Sequence, residues 1–100
     1  MTTRSSFELL RRSGRRVRRG PLSVTFVEAG ADEPPRFAYA VGRRVGGAVV
    51  RNRLRRRLRA AVAELDPGPG LYLVSASVEA TSLSFGELKS TLTRALEATR

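Results

Sequence analysis

The sequence predicts an α/β (α+β) fold: one domain, a two-layer sandwich with a single sheet, its elements running α-β-β-α-β-α with room for an extra short strand. Three observations lead there. Two short segments, 22–27 and 37–42, alternate with a period of two. A long stretch, 48–65, switches to helical period, and a third apolar run and a capped helix follow it. The chain has 100 residues, 41% of them hydrophobic, enough for one modest core and too few for two. No internal repeat or linker interrupts it, so residues 1–100 are read as a single domain.

Ser5 and Glu8 have the spacing of a capping box and Gly14 is a natural stop, so a short first helix is expected over about 6–13. The basic stretch Arg15-Arg16-Val17-Arg18-Arg19-Gly20-Pro21 comes next. Leu22, Val24 and Phe26 then alternate with Ser23 and Thr25, the pattern of a half-buried strand. The turn formers between Ala29 and Pro35 are expected to close a hairpin onto a second strand, whose core face would be Phe37, Tyr39 and Val41. The opposite face would carry only Ala38, Ala40, Gly42, Ser23 and Thr25, shallow enough to admit a ligand.

Over 48–65, Val50, Leu54, Leu58, Ala61, Val62 and Leu65 fall within one arc of about 120°, the expected buried stripe. Arg51, Asn52, Arg55, Arg56 and Arg59 fan over the adjacent arc, with Arg53 and Arg57 further round. Asp66-Pro67-Gly68-Pro69-Gly70 ends the helix, and residues 71–75 read as a third, buried strand. Ser84 and Glu87 form a second capping box, opening a helix that carries Leu88, Leu92 and Leu96 at i, i+4 and i+8.

Charge narrows the function. Nineteen bases against nine acids give a net charge of +10, and Lys89 is the only lysine. Residues 1–59 hold sixteen arginines against Glu8, Glu28, Asp32 and Glu33, a net of +12, whereas residues 60–100 sum to −2. A solubilising surface would mix the signs; a binding face for a polyanion concentrates one. Arginine suits phosphate because its planar fork of donors meets two oxygens at once. There is no cysteine and no histidine, which removes disulfides, thiolate metal sites, the commonest proton shuttle and the commonest zinc ligands. No apolar run approaches the roughly 18 residues of a membrane span, and no signal-peptide core follows the N-terminus.

The arginines at 51, 53, 55, 56, 57 and 59, with no acid until Glu64, would repel one another in an isolated helix. A merely solvated basic face is the bland account. Against it stand the preceding Arg43-Arg44, the Gly46-Gly47 approach to the helix and the interposed Asn52. Backbone N–H groups at a glycine-led helix N-terminus bind phosphate, and Asn can read a base edge or orient neighbouring arginines.

The segment Val41-Gly42-Arg43-Arg44-Val45-Gly46-Gly47-Ala48-Val49-Val50-Arg51-Asn52-Arg53-Leu54-Arg55-Arg56-Arg57-Leu58-Arg59 closely resembles the signature of the bacterial ribonuclease P protein subunit, approximately V-S-K-K/R-x-G-N-A-V-x-R-N-R-x-K-R-x-x-R. The resemblance extends over nearly the whole chain. It implies a left-handed β-α-β crossover, an exception to the usual hand. It also implies a role as the accessory protein subunit of an endoribonuclease that matures the 5′ ends of tRNA. Its partners would be the catalytic ribonuclease P RNA and precursor tRNA, with no membrane and no protein partner required. Mg2+ would be bound mainly by the RNA, and the setting would be cytoplasmic.

Carried over residue by residue, the resemblance assigns RNA binding to Arg51, Asn52, Arg53, Arg55, Arg56 and Arg59, with Arg43 and Arg44. It assigns a cleft for the single-stranded leader to Phe7, Arg11, Ser23 and Thr25. No catalytic and no metal-binding residue is expected on this chain. Arg11 stands where a second aromatic is common, Gly42 and Gly47 replace Ser and Asn, and Ala76 replaces a basic residue. Two other classes compete: a structural RNA-binding protein of ribosomal type, and a self-sufficient nuclease, which sparse acids and the missing His and Cys disfavour.

Overall fold

The computed structural model describes residues 14–28, 32 and 34–99. The helix expected over 6–13, and with it Phe7 and Arg11, lies outside them. The strands are β1 (Arg15–Arg19), β2 (Leu22–Val27), β3 (Arg36–Val41) and β4 (Leu71–Ala76). The helices are α1 (Ala48–Ala63) and α2 (Phe85–Ala98), with short 3-10 turns at Arg43–Val45 and Val78–Ser82.

The sheet order is β1-β2-β4-β3, with β2 antiparallel to both its neighbours and β3 parallel to β4. The expected hairpin between 22–27 and 37–42 is therefore wrong. Strand β4, returning through α1, inserts between β2 and β3. Residues 28–35 form too long a link for a tight hairpin and suit a chain that must step across an intervening strand. The true hairpin is β1–β2. It turns through Gly20-Pro21, Arg19 facing Leu22, and Gly20 has the positive φ of +54° that primed two-residue turns need. The basic stretch is thus the extra short strand.

Register sorts the side chains onto two faces. Leu22, Val24, Phe26, Tyr72, Val74, Phe37, Tyr39 and Val41 share the face under the helices. Leu22, Val24, Val41, Tyr72 and Val74 are buried there against Leu54, Leu58, Ala61, Leu88, Leu92, Ala95 and Leu96. Phe26, Phe37 and Tyr39 are half-buried at its margin. Phe37 and Tyr72 face each other across the parallel pair and stack, centroids 4.5 Å apart at 7°, and Phe26 lies 4.9 Å from Tyr72 on the other side. Gly70 permits this: at φ +155°, a Cβ there would fall 2.3 Å from the Phe26 ring.

Both helices end and begin near their expected limits. In α2 the Ser84 hydroxyl accepts from the Glu87 N–H and the Glu87 carboxylate accepts from the Ser84 N–H, completing the capping box. Helix α1 spends its buried stripe on Leu54, Leu58 and Ala61. Val50, expected in that stripe, is 41% exposed. It sits one turn too early to reach the sheet and instead packs over Gly46, where an added Cβ would lie 3.0 Å from it.

Candidate nucleic-acid interface

Helix α1 begins at Gly47, which offers no side-chain cap, and has no acid in its first turn. Its first N–H groups and its positive dipole end therefore have no cap or counter-charge from the helix's own first turn. Just before it, the 3-10 turn carries Arg43 and Arg44, both exposed. The hydrophobic stripe fixes the helix rotation, and that rotation decides where each arginine points.

The arginines do not form one uniform face. Asn52, Arg55, Arg56 and Arg59 line one depression of about 440 Å³ together with Val49. Arg55 is held in place: one guanidinium nitrogen donates to the Asn52 side-chain oxygen at 2.8 Å, another to the Val41 carbonyl at 3.4 Å. Arg59 lies over the Tyr39 ring, 5.7 Å from its centroid. Burial pushes the Tyr39 hydroxyl above its ordinary pKa, and the Arg59 charge draws it partly back.

Arg53 falls on the other side of the helix, in a groove of about 310 Å³ shared with Val49, Val50, Leu54, Arg57 and Thr81. Arg57 donates to the Leu83 carbonyl, tying α1 to the segment that leads into α2. Arg51 is half-buried, with its Nε buried and without a hydrogen-bond partner. Arg43 and Arg44 line a third depression of about 550 Å³, at the C-terminal ends of the parallel strands β3 and β4, with Gly42, Val45, Ala76, Ser77 and Val78.

Ser23 and Thr25 point to the sheet face away from both helices, in register with Ser75 and Leu73 of β4. Ala38 and Ala40 continue that face across β3. The sequence put only small residues on this face; register adds Leu73 of β4 at its centre, between Thr25 and Ala38, and the order across the strands was not legible. Register adds two residues that the sequence left unassigned, Arg16 opposite Thr25 and Arg18 opposite Ser23. The Arg16 guanidinium reaches to 3.5 Å from the Ser23 hydroxyl. Strand alternation in R-R-V-R-R was the signal that could have found them. Tyr39 as a seat for Arg59 left no such signal.

Among the described residues no arginine makes an ion pair; the one bridge joins Lys89 to Glu64 at 2.9 Å, on exposed surface. Unneutralised guanidinium groups on a rigid helix can grip phosphates without first breaking internal pairs. Among the described residues, too, no three carboxylates or other ligating side chains converge as a metal site.

Comparison with known proteins agrees in sequence and in fold. The family model described as Ribonuclease P matches residues 1–100. The ribonuclease P protein component of Thermobifida fusca is 40% identical over 108 residues, spanning 98% of this chain and 74% of its own. That of Acidothermus cellulolyticus is 42% identical over 96 residues, covering 92% and 80%. Among solved structures, the RNase P protein from Thermotoga maritima superposes with a TM-score of 0.86 at 22% identity, covering 98% of this chain and 94% of that one. The Staphylococcus aureus RNase P protein gives 0.85 at 19%, covering 100% and 94%.

Proposed function

Since this chain belongs to the ribonuclease P protein family and is a protein subunit of ribonuclease P, we propose that it works by electrostatics and positioning on two RNA surfaces. The first is the arginine helix: Arg51, Asn52, Arg53, Arg55, Arg56 and Arg59, with Arg43 and Arg44 at its approach, hold the catalytic RNA. The second is the sheet face opposite α1 and α2, with Ser23 and Thr25, which receives the 5′ leader of precursor tRNA. Phe7 and Arg11 complete that cleft in this reading. The observation that carries the proposal is the set Asn52, Arg55, Arg56 and Arg59 on one depression with its arginines unneutralised.

Bond cleavage belongs to the RNA subunit and its Mg2+ in this account. What the chain supplies is neutralised phosphate repulsion and a located substrate strand, both of which lower the magnesium the RNA needs. A ribosomal-type structural role is not favoured by the family relationship.

Binding of the catalytic RNA as a function of salt tests this reading. With about six phosphates neutralised, log affinity should fall against log salt with a slope of roughly −4 to −5. Replacing Arg51 and Arg53 with Ala should weaken binding and flatten the slope, while Arg94→Ala, on the exposed side of α2, should change neither. A slope near zero, or unchanged binding in the double variant, would remove the electrostatic basis of the proposal.

A further inference from the structure

The arginine helix leaves one dense charge cluster unused. Four of the five residues of β1 are arginine, and all four are exposed. Among the described residues none of them is ion-paired. Among the described residues Glu79 is an acid that responds to them: the Ser77 hydroxyl, then its own backbone N–H, hold its carboxyl below the usual range, and the Arg18 charge adds a smaller pull. Adjacent like charges on a short strand are unfavourable unless a partner neutralises them.

The strand is also rigidly placed. Its turn packs on α2, where a Cβ added at Gly20 would meet Thr91 at 3.8 Å. Behind the turn, the Pro21 carbonyl accepts from the Ser77 N–H at 2.9 Å. Because Arg19 and Leu22 flank a two-residue turn as a hydrogen-bonded pair, alternation leaves the main-chain groups of Arg16 and Arg18 facing the outer edge. The Arg18 carbonyl accordingly accepts from the Arg19 guanidinium, at 2.8 Å. Arg16 and Arg18 are two residues apart, so their side chains emerge on the same face about 7 Å from one another. That interval is comparable with the step between successive phosphates along an extended RNA strand.

We propose that β1 is a further RNA-binding element, in which Arg16 and Arg18 grip the phosphodiester backbone of a single strand lying across the sheet face opposite α1 and α2. The inference rests on the proposed function and deepens it. Sheet order places β1 three strand spacings, about 14 Å, from β3, on whose side α1 carries its arginines. Strand β1 therefore holds a stretch of RNA separate from the one on α1. Two RNA sources fit this chemistry, the substrate leader and a single-stranded segment of the catalytic RNA.

The test uses the full chain with Arg16→Gln and Arg18→Gln together, and Arg15→Gln with Arg19→Gln as the control on the other face of the same strand. Two affinities are measured across a salt series: chain for catalytic RNA, and assembled holoenzyme for precursor tRNA with a long or a minimal leader. We expect the Arg16/Arg18 variant to lose at least fivefold in one of them, with a slope shallower by about 1.4 for two lost single-strand contacts. Loss confined to the long leader assigns the leader as occupant; loss against catalytic RNA alone assigns that RNA. Both affinities unchanged, or an equal loss in the Arg15/Arg19 control, would overturn the inference. Failure of the unaltered chain to bind catalytic RNA would instead overturn the proposed function.

Discussion

Replacing Asn52 with Ala should weaken binding of the catalytic RNA about fivefold without changing its salt dependence. In the free chain the Asn52 oxygen accepts from Arg55 at 2.8 Å, and the Val41 carbonyl accepts from the same guanidinium at 3.4 Å. The second contact is at the limit of a hydrogen bond, so Asn52 is the main restraint on where the Arg55 fork points. A hydrogen bond to a charged group contributes about 1.5–3 kcal/mol when buried. This one is exposed, which brings it to about 1 kcal/mol, or about a factor of five in affinity. Asn52→Ala removes orientation but no charge, so the slope of log affinity against log salt should hold. Arg55→Ala removes the charge and should flatten that slope by about 0.9. The double variant should bind no worse than Arg55→Ala alone, a coupling near the full 1 kcal/mol. If Asn52→Ala costs the same fivefold whether or not Arg55 is present, Asn52 acts on the RNA directly and the orienting role is refuted.

Two further predictions concern the fold and the seat of Arg59. Ser84→Ala removes the α2 cap and should cost about 1 kcal/mol, read as a lower melting temperature. The Glu87 carboxyl is held below its ordinary range by the Ser84 backbone N–H first and the Ser84 hydroxyl second. A depressed carboxyl stabilises the fold above its unfolded pKa of about 4.3, and that contribution is lost as pH falls through the lower folded value. Glu87→Gln should blunt that part of the acid loss; an unchanged acid limb would show the box open in solution. Arg59→Ala removes the downward pull on Tyr39, so its ionisation should move to higher pH in an ultraviolet titration on a Tyr72→Phe background. An unchanged or lower pKa would place Arg59 away from the ring.

Element type was legible in the sequence wherever burial is one-sided. Leu54, Leu58, Leu88, Leu92 and Leu96 stand where helical period puts them, and Ser84 with Glu87 closes the box their spacing announces. Strand neighbours were not legible, because alternation reports which face of a strand is buried and says nothing about which strand lies beside it. The parallel insertion of β4 comes from α1 crossing the sheet, a tertiary fact. Period alone also misplaced Val50, since a helix can share the core's phase and still begin beyond the sheet's edge. At the candidate interface, composition singled out α1 as the surface to expect a polyanion on. The division of its arginines between an orienting Asn52, an aromatic Tyr39 and a structural tie at Leu83 depends on partners remote in sequence.

In the proposed function the chain assists an RNA catalyst by supplying charge and position. Cleavage of a precursor tRNA by a ribonuclease P RNA at low magnesium, with and without the purified chain, measures that directly. The account predicts a large gain in correctly placed 5′ cleavage on adding the chain, shrinking as magnesium is raised and the ion takes over the neutralisation. No gain at any magnesium concentration, in the presence of demonstrated RNA binding, would contradict it.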